Sequence, residues 1–210
     1  MNEALTFLSH NDPQLAKLIH LIGQLEMKVY DDPFRFIVGE IVGQMISNRV
    51  KKVIICRLIQ LCDNNICPEV VSALSVSQLR EIGLSNAKSA YIIGIANEVK
   101  EGNLNLASFS SMNDEEVQKQ LMKVRGIGAW TAKMFLLFAL QRPNILPIED
   151  VAFIQGFNWL YDKRCTNKNL IIKKAKNWQP YCSLAARYIY ECVNRNLIKQ
   201  DVNKVFNGLE

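Results

Sequence analysis

Residues 124–132 read Val-Arg-Gly-Ile-Gly-Ala-Trp-Thr-Ala, and Pro147-Ile148-Glu149-Asp150 follow about one helix later. Gly126 and Gly128 flank a single apolar residue, Ile127. Glycines at that spacing let the backbone turn tightly and approach an anion closely. The N–H groups of Gly126, Gly128 and Ala129 would then point outward at a helix N-terminus, an arrangement that suits one phosphate. Lys123 and Arg125 add positive charge beside the turn. An acid held a fixed distance from a phosphate grip suggests chemistry on a nucleotide. A carboxylate there could stabilise developing positive charge, or orient or deprotonate a water. Asp150 is the candidate for that task. Both features have plainer explanations: a helix-capping turn with no ligand, and an ordinary N-cap or first-turn acid.

The elements that must position these residues are helical. Asp12-Pro13 and Asp32-Pro33 each pair an N-cap with a first-turn proline. Leu15, Leu18, Ile19, Ile22 and Leu25 recur at helical spacing after the first pair, and Phe36, Ile37, Ile41 and Gln44 after the second. Further helices are expected over residues 49–62, after Pro68 and Ser75, after Ser85, and over residues 113–122 behind the acid-rich start Asn113-Asp114-Glu115-Glu116. A second helix is expected from about 129 to 140, which makes the glycine turn a hairpin between two helices with Ile127 plugged between them. No segment alternates as a strand would. The fold class expected is all-α, a two-lobed helical bundle.

Composition bounds the function. The chain has 210 residues, 49% hydrophobic and 21% charged, with a formal net charge of +5, a balance that reads as globular and permits a nucleic-acid partner without demanding one. Six cysteines occur, none as Cys-x-x-Cys, and the two histidines stand apart from them. A side-chain metal site is therefore not expected. Neither a signal peptide nor an apolar run long enough to cross a membrane is evident, so an intracellular, monomeric protein is expected.

The stretch 121–150 resembles the signature of the helix-hairpin-helix DNA glycosylase superfamily, and it is most similar to the 3-methyladenine DNA glycosylase II branch. Asp32-Pro33-Phe34 with Gly43-Gln44-Met45-Ile46-Ser47, Ile82-Gly83-Leu84-Ser85 with Lys88 and Tyr91, and residues 178–186 (Trp-Gln-Pro-Tyr-Cys-Ser-Leu-Ala-Ala) resemble further blocks of that branch. The resemblance implies excision of alkylated purines from double-stranded DNA after base flipping. It makes Asp150 the catalytic aspartate and Trp130 and Tyr190 walls of an aromatic base pocket. Such a pocket favours a cationic base by stacking and cation–π attraction. It gives Met45 the role of an apolar wedge inserted into the duplex, with Gln44 beside it. Core packing is the competing explanation for each of these apolar and aromatic residues.

Bifunctional relatives such as endonuclease III carry a lysine nucleophile where this chain has Trp130, so a monofunctional enzyme with no lyase step is expected. The resemblance also implies a Na⁺ or K⁺ ion on the main-chain carbonyls of Met122, Val124 and Ile127. The four-cysteine loop of the iron–sulfur members is missing, so no cluster is expected. Cys182 replaces an arginine common in the family. The expected division is an N-terminal helix (1–32) packed with a C-terminal lobe (148–210), and a central lobe (33–147) carrying wedge and hairpin, with the substrate cleft between the lobes. Two other functions fit the same residues: a glycosylase of this superfamily for oxidised guanine, uracil or hypoxanthine, and a non-catalytic DNA-binding module.

Overall fold

The computed structural model describes residues 2–27, 30–161 and 168–207. Among these, every regular element is helical. The chain opens with α1 (Asn2–Asn11) and α2 (Pro13–Ile22). It continues through α3 (Pro33–Gly43), α4 (Asn48–Leu61), α5 (Pro68–Ser72), α6 (Val76–Glu81), α7 (Asn86–Lys100), α8 (Asp114–Met122) and α9 (Ala129–Met134). A π-helical stretch, Phe135–Ala139, extends α9, so the run expected as one α-helix ends in a wider turn closed by Leu140 N–H on Phe135 O at 3.0 Å. The chain finishes with α10 (Val151–Leu160), α11 (Lys168–Ala175), α12 (Cys182–Asn194) and α13 (Val202–Asn207).

The chain forms two compact units: Met1–Lys28 with Gln141–Glu210, and Val29–Leu140. The central unit, α3 to α9, is built around α3 and the end of α9. Ile37, Val38, Ile41 and Val42 are fully buried, and Phe135 meets Phe36 and Phe109 edge-on at 6.0 and 5.8 Å. Phe34 and Phe36 belong to this core, whereas Tyr30 is 39% exposed.

The other unit packs around one core of Leu8, Leu15, Leu18, Phe153, Phe157, Trp178, Tyr188 and Ile189. Gly156 permits the close approach of α10 to α12, because a Cβ there would lie 2.6 Å from the Ile189 carbonyl oxygen. A buried carboxylate ties the core together. Asp12 caps α2 by accepting the Leu15 N–H (3.2 Å), and its second oxygen accepts from Tyr161 Oη (2.7 Å), Trp178 Nε1 (2.9 Å) and Lys174 Nζ (3.0 Å). A charge buried this completely persists only when paired and fully hydrogen-bonded; removing a partner from such a site typically costs about 3–5 kcal/mol. Burial raises the pKa of the Tyr161 hydroxyl, and the neighbouring Asp12 charge raises it further.

Candidate active site: hairpin, wedge turn and capped aspartate

The hairpin forms where α8 gives way to α9. Asn113 and Glu116 make a reciprocal capping box at the start of α8, and Val117 and Leu121 bury its inner face. Val124 and Ile127 sink into the core, and the Ile127 N–H bonds back to Val124 O at 3.1 Å. Lys123 and Arg125 are exposed, and so is Gly128.

The two glycines differ in kind. Gly126 has φ +95°, and a Cβ there would stand 2.2 Å from Tyr91 Cγ. Only glycine fits. Gly128 has φ −98° and ψ 179°, ordinary extended backbone, and a Cβ added there would meet nothing within 4 Å. Its value is openness: it is the N-cap of α9 and offers no side chain to the first amides. The first N–H groups of a helix have no intrahelical acceptor. Ala129 and Trp130 begin the helix, both part-buried.

Met45 lies in the turn between α3 and α4. Its side chain is fully exposed, and its φ is +57°, a left-handed conformation uncommon for a residue with a Cβ. Membership of a helix core is thereby excluded. Gln44 faces inward. Its Nε2 donates to the Gly126 carbonyl (3.1 Å) and, more weakly, to Thr131 Oγ1 (3.4 Å), while its own carbonyl accepts from Lys88 Nζ at 2.6 Å. The Met45 turn and the hairpin are therefore hydrogen-bonded to each other inside the central unit. Beyond it, Arg49 and Lys52 are exposed at the start of α4, whereas Lys51 is paired with Glu40 at 2.8 Å.

Asp150 belongs to the other unit. It is the N-cap of α10, 9% exposed, with Oδ1 accepting the Phe153 N–H at 2.8 Å. That bond fixes the carboxylate at the N-terminus of a ten-residue helix. The Phe153 ring in turn meets Tyr190 on α12, centroids 6.1 Å apart. The loop leading to Asp150 is pinned by Ser183, a residue sequence reasoning did not single out. Ser183 N–H donates to Pro143 O (3.0 Å), its hydroxyl donates to Arg142 O, and Ile145 N–H donates to that hydroxyl (2.9 Å). No local signal announces this, since the partners of the hydroxyl lie 38 and 41 positions away.

Cys182, standing where the family commonly has arginine, is 2% exposed and its thiol reaches Ala175 O; burial pushes its pKa up to about 11. It is a core residue, and a guanidinium could not occupy the same place without desolvation. Cys165 lies outside the described residues. Among the described residues, no group of three or more His, Cys, Asp or Glu could hold a metal ion, and no helix is long and apolar enough to cross a membrane.

Residues 38–180 match the family model of the HhH-GPD superfamily base excision DNA repair proteins. The chain is similar to the crystal structure of a DNA-3-methyladenine glycosidase from Bacillus halodurans, with 30% identity and a TM-score of 0.79 over 90% of this chain and 88% of the other. It is 34% identical over 123 residues to a Bacillus subtilis DNA-3-methyladenine glycosylase, covering 58% of this chain. It spans only 44% and 41% of the length of the two Bacillus subtilis relatives it matches. The fold is also that of the Schizosaccharomyces pombe 3-methyladenine DNA glycosylase solved with abasic DNA, at a TM-score of 0.84 and 22% identity over 91% of this chain and 97% of that one. The family match extends from inside α3, through the Met45 turn and the hairpin, to beyond Asp150, and the chain belongs to the HhH-GPD superfamily of base excision DNA repair proteins.

Proposed function

We propose that the protein is a monofunctional DNA glycosylase that hydrolyses the N-glycosidic bond of alkylated purines, of the 3-methyladenine type, in double-stranded DNA. The observation that carries this reading is Asp150: an almost fully buried carboxylate, capped onto α10, inside the stretch that matches the base excision family. The names of its relatives, DNA-3-methyladenine glycosylases from two bacilli, support the alkylated-purine substrate.

In this reading the amides of Gly126, Gly128 and Ala129, with Lys123 and Arg125, hold one phosphate of the DNA backbone. Met45 enters the duplex where the damaged nucleotide leaves it, and unstacking there is offset by stacking of the extruded base against Trp130 and Tyr190. A 3-methylated adenine already carries positive charge, so it is a good leaving group and a good partner for an aromatic face. As the C1′–N bond breaks, the electron pair goes to the base and positive charge gathers on the sugar. Asp150 stabilises that charge and accepts a proton from the water that attacks C1′. The products are free base and an abasic site. Trp130 has no amine to form a Schiff base, so no strand cleavage follows.

A Na⁺ or K⁺ ion on the carbonyls of Met122, Val124 and Ile127 fits the hairpin. These groups follow the C-terminal end of α8, where the helix dipole favours a cation. Val124 O, engaged by Ile127 N–H, retains a second lone pair. The ion would brace the turn and takes no part in the bond cleavage. The protein is read as a monomer acting inside the cell.

The test is base release from duplexes carrying single defined lesions: 3-methyladenine analogues, hypoxanthine, uracil and 8-oxoguanine. Preferential release of the alkylated purine supports the reading, and release of only another lesion replaces the substrate. Binding without any release would make the chain a non-catalytic module. Borohydride should trap no covalent adduct; a trapped adduct would refute the water-only mechanism.

A further inference from the structure

The turn that presents Met45 is poorly held by its own backbone. Gln44 N–H reaches Ile41 O at 3.3 Å and Ile46 N–H reaches Gly43 O at 3.4 Å, both long for hydrogen bonds. Yet Met45 is kept left-handed and fully exposed, a combination that neither propensity nor burial favours. The hold comes from α7. Lys88 Nζ donates to Val42 O at 2.8 Å and to Gln44 O at 2.6 Å, bridging the carbonyls at the C-terminal end of α3. Those carbonyls lack intrahelical donors, and a cation is favoured at that end of a helix. Burial lowers the Lys88 pKa, so part of its hydration has been exchanged for these two bonds. One turn further along α7, Tyr91 packs beneath Gly126.

We propose that Lys88 is a positioning residue that fixes the Met45 turn in its left-handed form before DNA arrives, so that base extrusion starts from a preformed wedge. The inference rests on the reading of Met45 as the wedge, and it makes Lys88 act only through that turn. A preorganised wedge spares the ordering that would otherwise accompany insertion. The effect therefore belongs to extrusion and turnover, not to the grip on the backbone, which the hairpin and its basic flanks supply.

Hydrogen exchange on the free protein and single-turnover excision on lesion DNA test this with Lys88→Met, Lys88→Arg, Met45→Ala and the double variant Lys88→Met/Met45→Ala. Amides of residues 44–46 should exchange roughly tenfold faster in Lys88→Met, with the rest of α3 and α4 unchanged, as local opening replaces a held turn. Excision should slow by about tenfold while affinity for undamaged duplex stays within about twofold, and Lys88→Arg should recover most of the rate. The double variant should be no slower than Met45→Ala alone. Unchanged exchange in the turn overturns the proposal even if the chain proves not to excise bases. Losses that multiply in the double variant, or an equal loss of binding to undamaged DNA, overturn it as well.

Discussion

Gln44 donates its side-chain amide to the Gly126 carbonyl at 3.1 Å, across 82 positions of sequence. One end of that bond belongs to the turn that exposes Met45, the other to the hairpin at Gly126. The Met45 turn and the hairpin are thus joined directly by a side-chain hydrogen bond. Under the proposed function, this bond would set the spacing between the Met45 wedge and the phosphate grip.

The two hairpin glycines should respond in opposite ways. Gly126→Ala forces a Cβ into the Tyr91 ring and a left-handed φ on alanine. Overpacking and strain together should cost about 2–4 kcal/mol and lower the thermal midpoint visibly. Gly128→Ala meets open space at a φ any residue adopts, and should leave stability within about 0.5 kcal/mol. Differential scanning calorimetry of the two variants checks both, and equal melting temperatures would contradict this hairpin conformation.

Ser183 should matter for catalysis through the loop it pins. Ser183→Ala strips Ile145 N–H of its acceptor and releases the Arg142 carbonyl. Leaving a buried amide unsatisfied costs about 1–3 kcal/mol. If that loop sets the position of Asp150, turnover should fall while affinity for lesion DNA is nearly unchanged. Steady-state kinetics separate the two, and a loss confined to KM would argue against a positioning role.

Much of this architecture is legible in local sequence because its causes are local. Asp12, Asp32, Ser85 and Asn113 each accept the backbone N–H three residues on, as N-caps at those positions should. The turn at Gly126 and the helix start at Asp150 follow from the same short-range rules. What sequence reading does not reveal is long-range. Asp12 finds Tyr161 and Trp178 at separations of 149 and 166 residues, and nothing near Asp12 announces either. Lys88 stands in a recognisable block, but its grip on Val42 and Gln44 depends on how α7 packs against α3. The openness of Gly128 likewise depends on which neighbours are missing in space, which spacing alone does not encode.

Trp130 should discriminate by charge. If its ring stacks on the extruded base, Trp130→Ala should depress excision of cationic 3-methyladenine more than excision of neutral hypoxanthine, by about tenfold in the ratio, the scale of a desolvated cation–π contact. Single-turnover rates on the two substrates check this. An equal loss on both would reduce Trp130 to a structural residue.

The buried thiols predict alkaline sensitivity. Burial pushes Cys182 to about 11 and Cys192 to about 12, from 9.0. Between 9.0 and those values the native state holds protons that the unfolded chain releases, so stability is full below pH 9.0 and falls as pH rises through about 11 and about 12. Urea titrations at about pH 8 and about pH 10.5 should show the decline, shallower in Cys192→Ala. At about pH 8, alkylation mapped by mass spectrometry should modify the exposed Cys56 while sparing Cys182 and Cys192 until the chain unfolds.

The central claim is that Asp150 acts on the sugar as well as capping α10, and Asp150→Asn separates the two roles. Asparagine caps a helix about as well as aspartate, so the fold should persist with little change in melting temperature. Base release from 3-methyladenine-containing duplex, measured with the variant at saturating enzyme, should drop by about 10²-fold or more while binding to the same DNA is retained, because the negative charge facing C1′ is gone. Excision near the wild-type rate by a folded Asp150→Asn protein would contradict the account and leave Asp150 a helix cap alone.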